Sequence, residues 1–182
     1  MRPPEPAEQP ATPTPETLSG AELLAWVEPL PYARRMRELA LYARRAPHLP
    51  ALLAELREGD AYARRTALHL AMAARDLPFI EETLSGPDLD LRRAALRAAR
   101  TLPIPDAAVV AALEDAPVRL RLAVYRTLAQ SRRRAAAEAL LPGVRTRWGD
   151  REAAALLPAC GGTAVAEWLP GLAHAVTSWT SL

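Results

Sequence analysis

The chain has 182 residues, half of them hydrophobic and a quarter charged, which places it among folded proteins. Its net charge of +2 excludes a strong polycation, and its 5% aromatic content, with few Val and Ile, counts against a β-sandwich or a parallel sheet. No stretch approaches the ~18 uninterrupted apolar residues of a membrane span, and a lone cysteine, Cys160, excludes an internal disulfide and a multi-cysteine metal site.

In chain order, residues 1–17 are rich in proline and acid with almost nothing to bury, and read as a flexible leader. They lack the charged and then apolar pattern of a secretory signal, so a cytoplasmic protein is expected. Ser19 and Glu22 stand at the spacing of a capping box ahead of Leu23, Leu24, Trp26 and Val27, which places a helix start there. Prolines and glycines then divide the chain at Pro29, Pro47, Gly59, Pro78, Gly86, Pro103, Pro117, Gly149 and Gly161. The pieces, roughly 9 to 15 residues each, carry helical periodicity, so about eleven helices joined by short links are expected. The fold class is all-α.

An internal repeat organises these helices. Asp60, Asp88 and Asp115 are each followed four residues later by arginine: Arg64, Arg92 and Arg119. Apolar residues recur between and beyond them on one helical face: Ala63, Ala67 and Leu70, then Leu91, Ala95 and Ala98, then Val118, Leu122 and Tyr125. A weaker copy starts at Asp150, with Ala154 where arginine is expected, and an earlier one holds Arg34 and Arg35 without the aspartate. A second apolar set precedes each copy: Leu52, Leu53 and Leu56, then Phe79, Ile80 and Leu84, then Val109, Val110 and Leu113, then Leu140, Leu141 and Val144. The unit is therefore an antiparallel helix pair, and about five stacked pairs would build one continuous core.

A Leu-rich helix, then Asp, then a hydrophobic residue and Arg, resembles the HEAT repeat and its short bacterial relatives. The resemblance is strongest over residues 48–130 and extends loosely over 18–182. It implies a right-handed α-solenoid in which Asp60, Arg64, Asp88, Arg92, Asp115 and Arg119 form a structural ladder between repeats. It also implies that the second helix of each pair lines a concave face. A capping role for each Asp explains these residues without a ligand.

The search for chemistry is negative. His48, His69 and His174 share no metal-ligand spacing, Cys160 falls on the core stripe, and Gly161–Gly162 reads as a helix break with no phosphate-loop lysine after it. No catalytic residue, metal site or cofactor is assigned. Charge is more informative: residues 116–151 carry nine arginines against Glu138 and Asp150. Arg126, Arg132, Arg133, Arg134, Arg145 and Arg147 belong to this block, with Trp148 as a stacking face beside them for a phosphate backbone. All 23 basic residues of the chain are arginine, however, so a compositional bias accounts for part of this excess. A second surface comprises Arg93, Arg97 and Arg100, one residue and more past the repeat arginine, with Arg65 and His69 at matching places one unit earlier.

These features point first to a non-enzymatic interaction scaffold that offers a curved, arginine-bearing surface to a protein partner, with no membrane involvement. Nucleic-acid binding through residues 116–151 is the alternative, including a remote likeness to HEAT-like DNA glycosylases through Trp148 and Asp150. An accessory role like that of the HEAT-like bilin lyases has no residue to support it. Residues 163–182 read as a last helix with Trp168, Leu169, Leu172, Trp179 and Leu182 and no charge after Glu167, so the chain is expected to be the N-terminal part of a longer solenoid.

Overall fold

Ser19 opens the first helix as the spacing requires: its side chain accepts from the Glu22 backbone N–H, and Glu22 accepts in return from the Ser19 N–H at 2.8 Å. The computed structural model describes residues 18–176, so the leader, Trp179 and Leu182 lie outside the described residues. Among the described residues there are eleven α-helices, a 3-10 turn at Leu157–Ala159 and no strand, which makes the fold all-α. The chain forms two compact units, one ending at Ala74 and the other beginning at Arg75.

The first unit contains α1 (Gly20–Val27), α2 (Tyr32–Ala43), α3 (Leu49–Arg57) and α4 (Ala61–Ala74). α4 packs on α2 and α3, and Leu23, Val27, Leu39, Leu52, Leu53, Leu56, Ala67 and Leu70 are buried. Gly20 permits a close approach of α1 to α3. Its N–H donates to Glu55 at 2.9 Å, and a Cβ there would lie 2.8 Å from the same carboxylate.

The second unit contains α5 (Leu77–Ser85), α6 (Leu89–Ala98), α7 (Asp106–Ala111), α8 (Val118–Gln130), α9 (Arg134–Trp148), α10 (Asp150–Leu156) and α11 (Gly162–Val176). α6, α8 and α10 pack in sequence as one layer, and α5, α7 and α9 form a second layer against them. Ile80, Leu84, Leu96, Val109, Val124, Leu128, Leu141 and Leu156 fill the space between. At roughly 1.5–3 kcal/mol for each large apolar side chain buried, this layer contact is the main stabilising term. Pro142 and Pro170 sit inside α9 and α11. Each removes one backbone donor and leaves a carbonyl of the preceding turn without its helical partner.

One residue recurs in both units with the same task. Arg35, Arg64, Arg92 and Arg121 are the fourth residues of α2, α4, α6 and α8, at intervals of 29, 28 and 29 positions. Each turns its guanidinium back onto carbonyls of the link that leads into its helix. Arg35 donates to Val27, Glu28 and Leu30 at 3.0, 2.6 and 3.1 Å, and Arg64 to Gly59 at 2.7 Å. Arg92, 7% exposed, donates to Gly86 and Ser85 and, at 2.6 Å, to Glu114 in the link before α8. Arg121 donates to Ala116 at 2.7 Å. The end of a helix leaves carbonyls unpaired and carries partial negative charge, which a five-donor planar cation satisfies better than any other side chain.

This register differs from the one expected in the third copy. Asp60 accepts from Ala63 N–H at 2.8 Å, and Asp88 caps α6 by accepting from Asp90 and Leu91. Pro117, however, occupies the cap position of α8. Asp115 lies two residues earlier in the left-handed region (φ 48°), and Arg119 is exposed. Of the expected stripe Tyr125 is buried and Leu122 half-buried, but Val118 is 51% exposed, and Leu120, Val124 and Thr127 are buried in its place. Two residues move a helical position by about 200°, to the opposite face. In the first copy Arg35, and not Arg34, holds the repeat position.

Arg92→Met should destabilise the second unit by at least about 2 kcal/mol, because the buried carbonyls lose their donor, whereas Arg93→Met on the exposed side should change stability by less than about 0.5 kcal/mol. Urea unfolding of the two variants beside the parent checks this.

Candidate functional site

α6, α8 and α10 run parallel and nearly level. Arg92 at the start of α6 reaches Glu114 ahead of α8, and Arg121 at the start of α8 reaches Glu152 in the first turn of α10. Midway along, the Thr127 hydroxyl faces the Leu96 carbonyl at 3.5 Å. The residues opposite the buried stripe therefore form one continuous outer face. It presents Arg93 and Arg97 from α6, Arg100 from the following turn, Arg119 and Arg126 from α8, and Arg151 from α10, all exposed. The exposed acid on these three helices is Asp90. None of the six arginine side chains makes an ion pair or hydrogen bond among the described residues. Two stretches that stand apart in the sequence, 93–100 and 119–151, are thus one surface. Arg65 and His69 stand at the corresponding positions of α4 in the first unit, exposed and half-buried respectively.

Other arginines of the 116–151 block are engaged inside the fold. Arg121 pairs with Glu152 through two donors, Nε at 2.7 Å from Oε2 and Nη2 to Oε1, with only 12% and 11% of the two side chains exposed. Tyr125 donates its hydroxyl to the same carboxylate at 3.0 Å. Burial, reinforced by the neighbouring Glu152 charge, holds that phenol protonated far above its ordinary range. The hydrogen bonds that Arg121 donates to Glu152 likewise raise the Arg121 pKa, against the opposing effect of burial. Arg133, at the N-cap of α9, is 12% exposed and ties the α8–α9 link to the α6–α7 link: it donates to Ile104 and Asp106 at 2.5 Å and to Ala99 at 3.1 Å. Its neighbours Arg132 and Arg134 are exposed, so these three consecutive arginines do two different jobs.

Trp148 does not offer a bare stacking face. The Arg121 and Arg147 guanidiniums lie over its ring at 4.6 and 5.1 Å, and its α9 position belongs to the other helix layer. Asp150 accepts from Arg145 at 2.7 Å and stands 3.1 Å from His174. The Arg145 hydrogen bond holds its pKa below the usual carboxylate range. Trp148 and Asp150 are therefore engaged by other side chains of the fold. α7, with only six residues beside the fifteen of α9, leaves an apolar groove of about 390 Å³ that sequence reasoning missed. Val110, Leu113, Leu140, Val144 and Trp148 line it together with Glu114 and Arg147. The signal for it was the short proline-bounded stretch before Pro117. Gly161 precedes α11 and donates its N–H to Glu138 at 2.7 Å, as a helix break does.

Among the described residues there is no group of three or more His, Cys, Asp and Glu able to hold a metal, and no helix long and apolar enough to cross a membrane. Cys160 is buried with its Sγ 3.8 Å from the Leu156 carbonyl. Burial first, and the Glu138 charge second, push its thiol up to about 11. Because the folded value lies above the ordinary value of 9.0, the thiol contributes stability below pH 9 that is lost as pH rises through about 11. At pH 8 the thiolate fraction is about a hundredfold below that of a free cysteine, so iodoacetamide should label native Cys160 about a hundredfold more slowly than the urea-unfolded chain. Time-resolved mass spectrometry of the alkylation checks this. No protein-family model matches the chain, and neither does any curated protein or any solved structure.

Proposed function

We propose that the chain is a non-enzymatic interaction scaffold of the HEAT-like type, its helix pairs stacked as a right-handed α-solenoid, that presents the arginine face to a protein partner. The observation that carries this reading is the basic, almost acid-free face of α6, α8 and α10. Packed helices fix the backbone positions of these arginines, so binding orders side chains only, and their charge contributes to recognition and to association rate. The repeated arginine-to-carbonyl contacts supply the rigidity that such a surface requires. The recurrence of the helix pair at 28–29 residues supports the solenoid assignment.

Nucleic-acid binding would use the same six arginines, and their charge alone suits a phosphate backbone. The engagement of Trp148 by Arg121 and Arg147 favours the protein reading, because it withdraws the aromatic platform that base stacking needs.

The test is affinity capture from nuclease-treated lysate with the wild type and with the Arg97→Glu/Arg126→Glu variant, read by mass spectrometry. A defined protein retained by the wild type should fall at least about tenfold with the variant, since like charges across an interface cost several kcal/mol. Capture that disappears with nuclease, or that ignores the variant, overturns the assignment of a protein partner to this face.

A further inference from the structure

Leu89, Arg93 and Arg97 follow one another at four-residue steps on α6, and Val118, Leu122 and Arg126 do the same on α8. Four-residue steps keep side chains on one line along a helix. The two helices are parallel and level, as the Arg92–Glu114 and Thr127–Leu96 contacts fix, so the lines lie side by side at a helix separation of roughly 8–10 Å. Both lines begin apolar at the N-terminal end and become basic toward the C-terminal end. Leu89 is 42% and Val118 51% exposed, Leu122 is half-buried, and the three arginines are exposed.

Helix stability explains only half of this pattern. Arg97 stands in the last turn of α6, where a cation complements the helix dipole. Leu89 and Val118 are the first residues of their helices, where proline or an acid would serve the helix better, and much of their apolar surface faces water.

We infer that this two-helix strip docks an acidic protein segment that carries bulky apolar side chains at one end. The apolar end covers Leu89 and Val118, and the carboxylates that follow meet Arg93, Arg97 and Arg126 in bidentate pairs. The strip measures about 12 Å from residue 89 to residue 97, which an extended segment crosses in about four residues. A phosphate backbone matches the arginines but has nothing to place on Leu89 and Val118, and this difference selects a protein segment over a nucleic acid. The inference rests on the scaffold reading and specifies the chemistry of its partner.

Fluorescence anisotropy with three fluorescein-labelled probes tests it: a dodecapeptide of two leucines and a phenylalanine followed by glutamates, an all-glutamate dodecapeptide, and a 20-base-pair DNA duplex. The leucine-headed peptide should bind the full chain about tenfold tighter than the all-glutamate peptide, the gain expected from covering one exposed apolar side chain. Arg97→Glu/Arg126→Glu should weaken both peptides at least about tenfold. Leu89→Ser/Val118→Ser should abolish the difference between the peptides while leaving the salt dependence of binding unchanged. All four positions face solvent, so the variants should fold, and thermal melts check this. Equal affinity for the two peptides, no binding of either by the wild type, or a tighter complex with the duplex that ignores Leu89→Ser/Val118→Ser each overturns the inference. If those failures accompany intact, Arg97- and Arg126-dependent capture of a protein from lysate, the scaffold reading stands and only the polarity of the strip is wrong.

Discussion

The interaction on which this structure depends is the turn of an arginine back onto main-chain carbonyls. Arg35, Arg64, Arg92 and Arg121 each close the link that leads into their own helix. Arg92 and Arg121 also reach the next segment, one at the Glu114 carbonyl and one at the Glu152 carboxylate. A helix pair of this size cannot bury its apolar face alone, so the pairs must be joined, and the joint must not add unpaired polar groups to the interior. A guanidinium meets both demands: it fills the carbonyl lone pairs at the end of a helix and keeps its charge in every ordinary solution condition. Lysine would supply three donors from a point charge in place of a planar fork, and the chain contains none.

The same chemistry explains why arginine content is a poor guide to the outer surface. The 116–151 stretch looked like one basic block, yet Arg121 and Arg133 are turned inward and Arg145 is held by Asp150. The cations of the outer face come from alternate helices, Arg93 and Arg97 from α6, Arg119 and Arg126 from α8, Arg151 from α10, while Arg132 and Arg134 are exposed around the start of α9. Linear charge counting cannot separate these groups, because the angular position of a residue on its helix decides which way it points, and an error of two residues reverses the answer.

Helix content, the capping box at Ser19 and the burial of Cys160 were legible because each follows from a local rule. The recurring arginine near the start of α4 and α6 was legible too, but its phase in the third copy was not. Asp115 followed by Arg119 imitates the spacing of Asp60 with Arg64, while the functional equivalent, Pro117 with Arg121, lacks the acidic cap that announces Arg64 and Arg92, as does Pro31 with Arg35. A proline can start a helix without a side-chain cap because its fixed φ suits the position, so the aspartate was dispensable there. The groove between α7 and α9 was hidden for a different reason: its one trace in the sequence is the short proline-bounded stretch before Pro117, and a shortage of residues in one helix matters only relative to the length of its neighbour.

Because the recurring arginines bind main-chain oxygen, no particular side chain has to furnish their partner. The carbonyls used belong to Leu30, Gly59, Gly86 and Ala116, one or two positions ahead of the helix cap. The long arginine side chain takes up that difference of one residue, so the links share an oxygen within reach and no common motif. Space sets the remaining limit: a Cβ on Gly59 would lie 2.6 Å from the Ala63 Cβ, so this link is held to glycine by the helix it leads into and not by the arginine that closes it.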